Sequence, residues 1–265
     1  MAQVSALKFA SVRDQVSAEE WETRVHLAAC YRLMARYGMT DLIYNHITAR
    51  VPGEPDHFLI NPYGLFYEEI TASCLYKIDH EGQVLFRPQT SHGLNQAGFV
   101  IHSAVHAARP DLNCVIHTHT RAGMAVSSMQ CGLLPLNQTS LRFYNRIGYH
   151  DFEGPAVDMA ERERLVRDMG PHKVMVLRSH GLLAAGTTIG EAFSMIYFLE
   201  NACKAQVDAM SSGTPLILCS PEIGEKTAQC FLPNPELQYG QGYVGELEWE
   251  ALIRKLNSED TSYAT

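Results

Sequence analysis

The chain has 265 residues, 46% of them hydrophobic and 19% charged, and a formal net charge of −8. That length buries a substantial core and that composition is ordinary for a globular protein. The acidic balance, without clustered Lys and Arg, argues against a nucleic-acid partner.

Seven cysteines with no Cys-x-x-Cys pair do not build a disulfide framework, and Cys30, Cys114 and Cys203 stand in apolar contexts that suit reduced core residues. No run approaches membrane-spanning length and no apolar leader opens the chain, so no membrane partner is expected and the expected location is the cytoplasm.

Residues 1–16 carry weak patterning and read as an extended arm. Ser17, with Glu20 three positions on, is a capping box that opens a helix. Trp21, Val25, Ala28 and Leu33 then recur at helical spacing until Gly38 closes it. Residues 42–51 read as a strand, 52–55 as a turn and 57–60 as a returning strand, followed by a second turn at 61–64. A short helical turn at 71–75 precedes a hairpin, 76–79 and 83–87, across His80-Glu81-Gly82. The first third therefore supplies most of an antiparallel sheet.

From 95 to 108 the period turns helical, with Phe99, His102, Val105 and His106 along one side, until Arg109-Pro110-Asp111 stops it. A helix at 123–129 and a candidate strand at 133–136 follow; the aromatic stretch 141–149, with Arg142 and Arg146, matches no element cleanly. Residues 158–169 form an amphipathic helix, 191–210 a long helix burying Phe193, Ile196, Leu199 and Cys203, and 246–256 a weak terminal helix. No repeat, linker or low-complexity run divides these elements. The economical arrangement is one α/β domain over 17–256, helices on both faces of a mixed sheet, with a C-terminal helical extension.

Two stretches carry chemistry. Asn113-Cys114-Val115-Ile116-His117-Thr118-His119 ends a short apolar run that suits a buried strand, and alternation puts His117 and His119 on one side. His180 follows a second apolar run, 173–178, so it too stands where a strand ends. Three imidazoles with a fourth position open are a catalytic zinc set. With twelve histidines in the chain, a His-x-His pair also arises as buried histidines bonded to backbone, so spacing alone leaves both readings open.

Five motifs in order resemble the class II aldolase/adducin family. They are Leu42-Ile43-Tyr44-Asn45-His46-Ile47-Thr48-Ala49-Arg50, Asn61-Pro62-Tyr63-Gly64-Leu65, Ala108-Arg109-Pro110-Asp111-Leu112, Val115-Ile116-His117-Thr118-His119 and Ser179-His180-Gly181-Leu182. The likeness covers roughly residues 20 to 210 and is nearest to the family's adducin-like bacterial branch. It implies a three-layer α/β/α sandwich on a mixed, mainly antiparallel sheet, assembly as a homotetramer with sites between subunits, and a divalent metal, usually zinc, on His117, His119 and His180.

The chain also departs from that family. In its sugar-phosphate aldolases an acidic residue, four positions before the histidine of the next helix, serves as metal ligand and general acid/base. With His102 as that histidine, the position is Gly98, and no carboxylate lies nearby. The family's small phosphate loop falls on Tyr44-Asn45-His46 and its paired serines near Gln96 and Ala97. Bulky Tyr44 opposes the close backbone approach that binds phosphate, which argues against a phosphorylated substrate.

The resulting expectation is a carbon–carbon lyase on a small hydroxy- or oxo-acid, decarboxylation being favoured because it starts without a base. The rivals are a non-catalytic interaction module like the adducin head and an Fe(II)-dependent oxidative decarboxylase; Mn(II) also suits three imidazoles. His46, His102, Arg121 and Tyr144 are the candidate helpers: His46 to orient substrate polar groups, His102 to support a ligand, Arg121 to pair a substrate carboxylate and Tyr144 to donate a proton if its loop reaches a neighbouring subunit. Against these stand a structural sheet histidine, a structural helix histidine, a solvated or interface arginine and a tyrosine with no such role. Glu68 and Glu69, beside a turn, read as solvated.

Overall fold

The computed structural model describes residues 7, 9–154, 160–232 and 244–265. Helix α1 (Ala18–Arg36) starts where the capping box places it, Ser17 Oγ accepting from the Glu20 amide at 3.1 Å. Its inner face is not purely apolar. Glu20 and Arg24, both essentially buried, pair at 2.8 Å, and Lys77 Nζ lies 2.8 Å from the second Glu20 oxygen.

Strands β1 (Ile47–Val51), β2 (Glu54–Ile60), β3 (Tyr76–Ile78) and β4 (Val84–Phe86) form an antiparallel meander, as the first third predicts. Helix α2 (Gln96–Ala108) leads into β5 (Cys114–Thr118), then α3 (Arg121–Ser127) and the short α4 (Gln138–Leu141). Strand β6 (Ile147–His150), α5 (Glu161–Met169), β7 (Val174–Leu177), β8 (Gly181–Gly186) and the long α6 (Ile189–Ser211) follow, then α7 (Pro221–Gln229) and α8 (Glu246–Asn257). Among the described residues eight strands make one sheet in the order β4-β3-β2-β1-β5-β8-β7-β6, antiparallel except for β6 beside β7.

Alternation along β5 sorts the layers. Cys114 and Ile116 pack in the large core with α1, α3, α6 and α8, whereas Val115 packs with Ile101 and Val105 of α2 and Leu165 of α5. The result is the expected three-layer α/β/α arrangement, and His117 follows Val115 onto the α2 side.

Several expected elements shift. The strand read over 42–51 begins only at Ile47, because Leu42 and Asn45 adopt left-handed backbone (φ 49° and 53°) and turn the chain first. His46 therefore precedes the strand instead of lying in it. No strand occurs at 133–136; the Leu134 amide bonds to Gln206 Oε1 of α6 at 2.7 Å and not to a sheet. The ambiguous 141–149 stretch divides into the end of α4, a turn through Asn145 (φ 54°) and β6. The arm is not wholly extended: Arg13–Gln15 form a 3-10 turn, and the buried Val12 bonds to Ser73 Oγ. The first residues of the 158–169 helix prediction lie outside the described residues. Among the described residues no helix is long and apolar enough to cross a membrane.

Candidate metal centre

The site forms where β5 ends against the β7–β8 hairpin. Strand β8 pairs antiparallel with β5, Leu183 opposite His117 and Leu182 opposite Thr118. The turn entering β8 therefore stands beside the exit of β5, which brings His180 to His117 and His119. Ser179 makes that turn in left-handed backbone (φ 54°). His117 Nε2 lies 2.8 Å from His119 Nε2, which is 3.0 Å from His180 Nε2. All three candidate ligand nitrogens fall within 4.8 Å of one another, as the sequence reading requires.

The outer nitrogens decide what the inner ones can do. His117 Nδ1 donates to the Leu182 carbonyl at 2.9 Å, and a carbonyl only accepts, so this nitrogen carries the proton. His119 Nδ1 donates to the Asp41 carboxylate at 3.1 Å. With the outer nitrogens so engaged, the two Nε2 atoms turn toward the same point, each as a lone pair wherever its ring is neutral. Two lone pairs 2.8 Å apart repel unless a proton or a cation lies between them. Burial, and then the His180 and His119 rings, hold His117 well below the usual histidine range. Burial and His119 bring His180 down to about 4. Near neutral pH these two rings are uncharged, which is the form that ligates a metal. The donor set fits a divalent cation.

The nitrogens open onto a cavity of about 570 Å³. Asn45 lines it: the residue is 4% exposed, and neither side-chain amide atom has a hydrogen-bond partner among the described residues. His46, buried, also lines it, its ring 4.0 Å from that of His102.

The other sequence candidates separate. His102 is fully buried behind the cavity wall, its Nδ1 2.8 Å from Thr48 Oγ1, which also meets His106 Nε2 at 2.8 Å. Arg121 opens α3 with its side chain exposed and is not among the residues lining the cavity. Tyr144 packs under Gly224 of α7, away from the triad within this chain. Glu68 is exposed, but Glu69 is engaged, its Oε2 accepting from the Phe66 amide at 2.7 Å. Gly98 lies in α2.

Sequence reasoning missed Asp41 and Phe152, both outside regular elements, and met Asn45 only within the stretch aligned with the family's phosphate loop, with no role of its own. Its left-handed backbone is a conformation that Asn accepts more readily than most residues. A buried carboxylate also escaped notice: Glu200 of α6, 2% exposed, accepts from Thr120 Oγ1 directly after His119.

The family described as Class II Aldolase and Adducin N-terminal domain matches residues 25–207. An aldolase II superfamily protein from Pseudomonas syringae is 48% identical, with a TM-score of 0.89 over 97% of this chain and 100% of that one. L-fuculose 1-phosphate aldolase from Glaciozyma antarctica is 27% identical, with a TM-score of 0.78 over 96% of this chain and 95% of that one. Alpha-adducin from Rattus norvegicus is 45% identical over 244 residues, which are 89% of this chain and 33% of that protein. Fold, ordered motifs and sequence identity agree: the chain belongs to the class II aldolase and adducin family.

Proposed function

We propose that this protein is a divalent-metal-dependent carbon–carbon lyase acting on a small, non-phosphorylated hydroxy- or oxo-acid, with the metal on His117, His119 and His180. The observation that carries the reading is the pair of Nε2 lone pairs fixed face to face by the Leu182 carbonyl and Asp41. A divalent cation there, zinc first and Fe(II) or Mn(II) as alternatives, supplies Lewis-acid charge for a developing oxyanion.

The chain's own residues set the rest. Gly98 can neither take nor give a proton, so a reaction that must begin with proton abstraction lacks the group that performs it in the sugar-phosphate aldolases. Decarboxylation begins without one. The bond to the carboxylate carbon breaks, carbon dioxide leaves, and the bonding pair stays on the substrate carbon until a proton joins it. Asn45 can orient a substrate oxygen through its free amide atoms. The test is incubation of the zinc-loaded protein with a panel of hydroxy- and oxo-acids, read by mass spectrometry for loss of carbon dioxide or cleavage. Turnover of sugar phosphates alone would overturn the reading.

The family resemblance also supports a homotetramer, and light scattering reads it directly. A monomer would remove any role for Tyr144 across a subunit boundary. A second reading, an interaction module without catalysis, draws support from the 45% identity with Alpha-adducin. Elemental analysis separates the two: protein that neither carries nor takes up zinc, Fe(II) or Mn(II) favours the module.

A further inference from the structure

The cavity over the triad has two chemically different kinds of lining. The three imidazoles, Asn45 and Ser179 supply polar groups; Tyr44, Tyr63, Ile101, Met124 and Phe152 supply aromatic and apolar surface. Tyr44, Met124 and Phe152 are 48%, 43% and 53% exposed, so three large apolar side chains converge on one opening instead of scattering over the surface. The Tyr44 and Tyr63 rings form a tilted wall with centroids 6.3 Å apart, and the Phe152 ring stands edge-on to His180 at 6.1 Å. No lysine or arginine is among the described residues that line the cavity.

We infer that the substrate carries a single anionic group and an aromatic body, the acid head over the triad and the ring against Tyr44, Tyr63 and Phe152. This deepens the lyase reading and rests on it. The charges require the first part. A bound dication offsets one carboxylate, but a second anionic group such as a phosphate would enter the cavity with no described cation to meet it, and an unpaired buried charge is costly. The lining requires the second part. Aromatic walls recover most from a ring that packs edge-to-face or offset against them. The cavity volume lies within the range of small-molecule sites.

The experiment uses three acids that share the 2-hydroxypropanoate frame and differ at carbon 3: lactate, 3-phenyllactate and 3-phosphoglycerate. Zinc binding to metal-stripped full-length protein is measured first by titration calorimetry, and each acid is then titrated into the zinc-loaded and the metal-free forms. The expected result is phenyllactate bound about 10-fold to 100-fold more tightly than lactate, the gain from burying an aromatic side chain, with phosphoglycerate no tighter than lactate. Phe152→Ala and Tyr44→Ala should each shrink the phenyllactate-to-lactate ratio several-fold. Equal affinity for lactate and phenyllactate, or phosphoglycerate binding tightest, overturns the inference. Zinc bound tightly but no acid bound also overturns it and leaves the metal site standing. A phenyl preference that is the same with and without metal supports the aromatic side and sinks the metal reading. Phenyllactate excluded while association of copies depends on Phe152 would make the opening an interface and overturn the inference.

Discussion

Asp41 offers the sharpest test of the centre because it touches a candidate ligand without being one. Its carboxylate accepts from His119 Nδ1 at 3.1 Å, which fixes the ring's tautomer and makes Nε2 more basic. Asp41→Asn keeps the shape and an acceptor oxygen but removes the charge. Losing such an outer partner costs about 10-fold to 100-fold in metal affinity. Here the Asp41 side chain is 41% exposed and its bond long, so solvent screens it and the effect belongs at the lower end, about 10-fold. The matching bond of His117 goes to a backbone carbonyl that substitution cannot delete, so half the support survives any change at Asp41. Zinc affinity is read by competition with a chromophoric chelator at pH 7.5, with His119→Ala as the far weaker comparator. Metal-free Asp41→Asn should melt within about 2 °C of the parent, because a half-exposed pair contributes little to stability. An unchanged zinc affinity, or equal losses in melting temperature with and without metal, would refute the argument.

Three further outcomes test the frame around the site. Glu20→Ala leaves the buried Arg24 without its carboxylate, against the Ala72 and Leu75 carbonyls and the Phe86 ring, which should cost about 3 to 5 kcal/mol and lower the melting temperature by roughly 10 °C in calorimetry; a loss under 1 kcal/mol counts against the buried pair. Acid should destabilise the fold in a defined window: burial holds His106 at about 3 against an ordinary 6.5, so its contribution is complete above pH 6.5 and is lost below it, as the unfolded chain gains a proton the native state refuses. Unfolding free energies from denaturant titrations should fall by about 1.4 kcal/mol per pH unit from this residue alone, roughly 3 kcal/mol in all by pH 4.5, and His102, lowered in the same direction by burial, adds to it; a flat profile between pH 6.5 and 4.5 would contradict the assignment. Gly181→Ala sets a methyl against the Thr118 carbonyl and must push β8 off β5 beside His180. It should cost about 1 to 3 kcal/mol and weaken zinc binding together, and unaltered zinc affinity would show that the strand spacing there does not set the triad.

The meander, α2, the β5 strand and the long α6 were legible because their signals are local. A cap at Ser17, a short apolar run rich in β-branched residues at 114–116 and a period of 3.6 at 191–210 each constrain only near neighbours. The misreadings share the opposite cause. Residues 42–46 are apolar enough to pass for a strand, yet the φ of Leu42 and Asn45 is set by the cavity loop. The apolar 133–136 run is held by Gln206, a partner 72 residues away. Sequence periodicity carries no record of such pairings.

The histidines show the same division more finely. Alternation places His117 and His119 on one side, but it cannot say that β8 pairs with β5, and that pairing alone brings His180 to them. Nor does it separate ligands from neighbours. Thr48 Oγ1 holds one proton and touches two rings, so it donates to one of His102 Nδ1 and His106 Nε2 and accepts from the other. That commits both rings to a closed bond behind the wall and leaves neither of those nitrogens for the cavity. His117 and His119 are committed the other way, their outer nitrogens spent on Leu182 and Asp41 and their inner ones freed. The distinction between a core histidine and a ligand therefore lies in what the second nitrogen faces: His102 Nε2 is buried with no hydrogen-bond partner among the described residues, whereas the inner nitrogens of His117 and His119 face each other and His180 at the cavity, a property of the folded partners and not of the histidine's place in the chain.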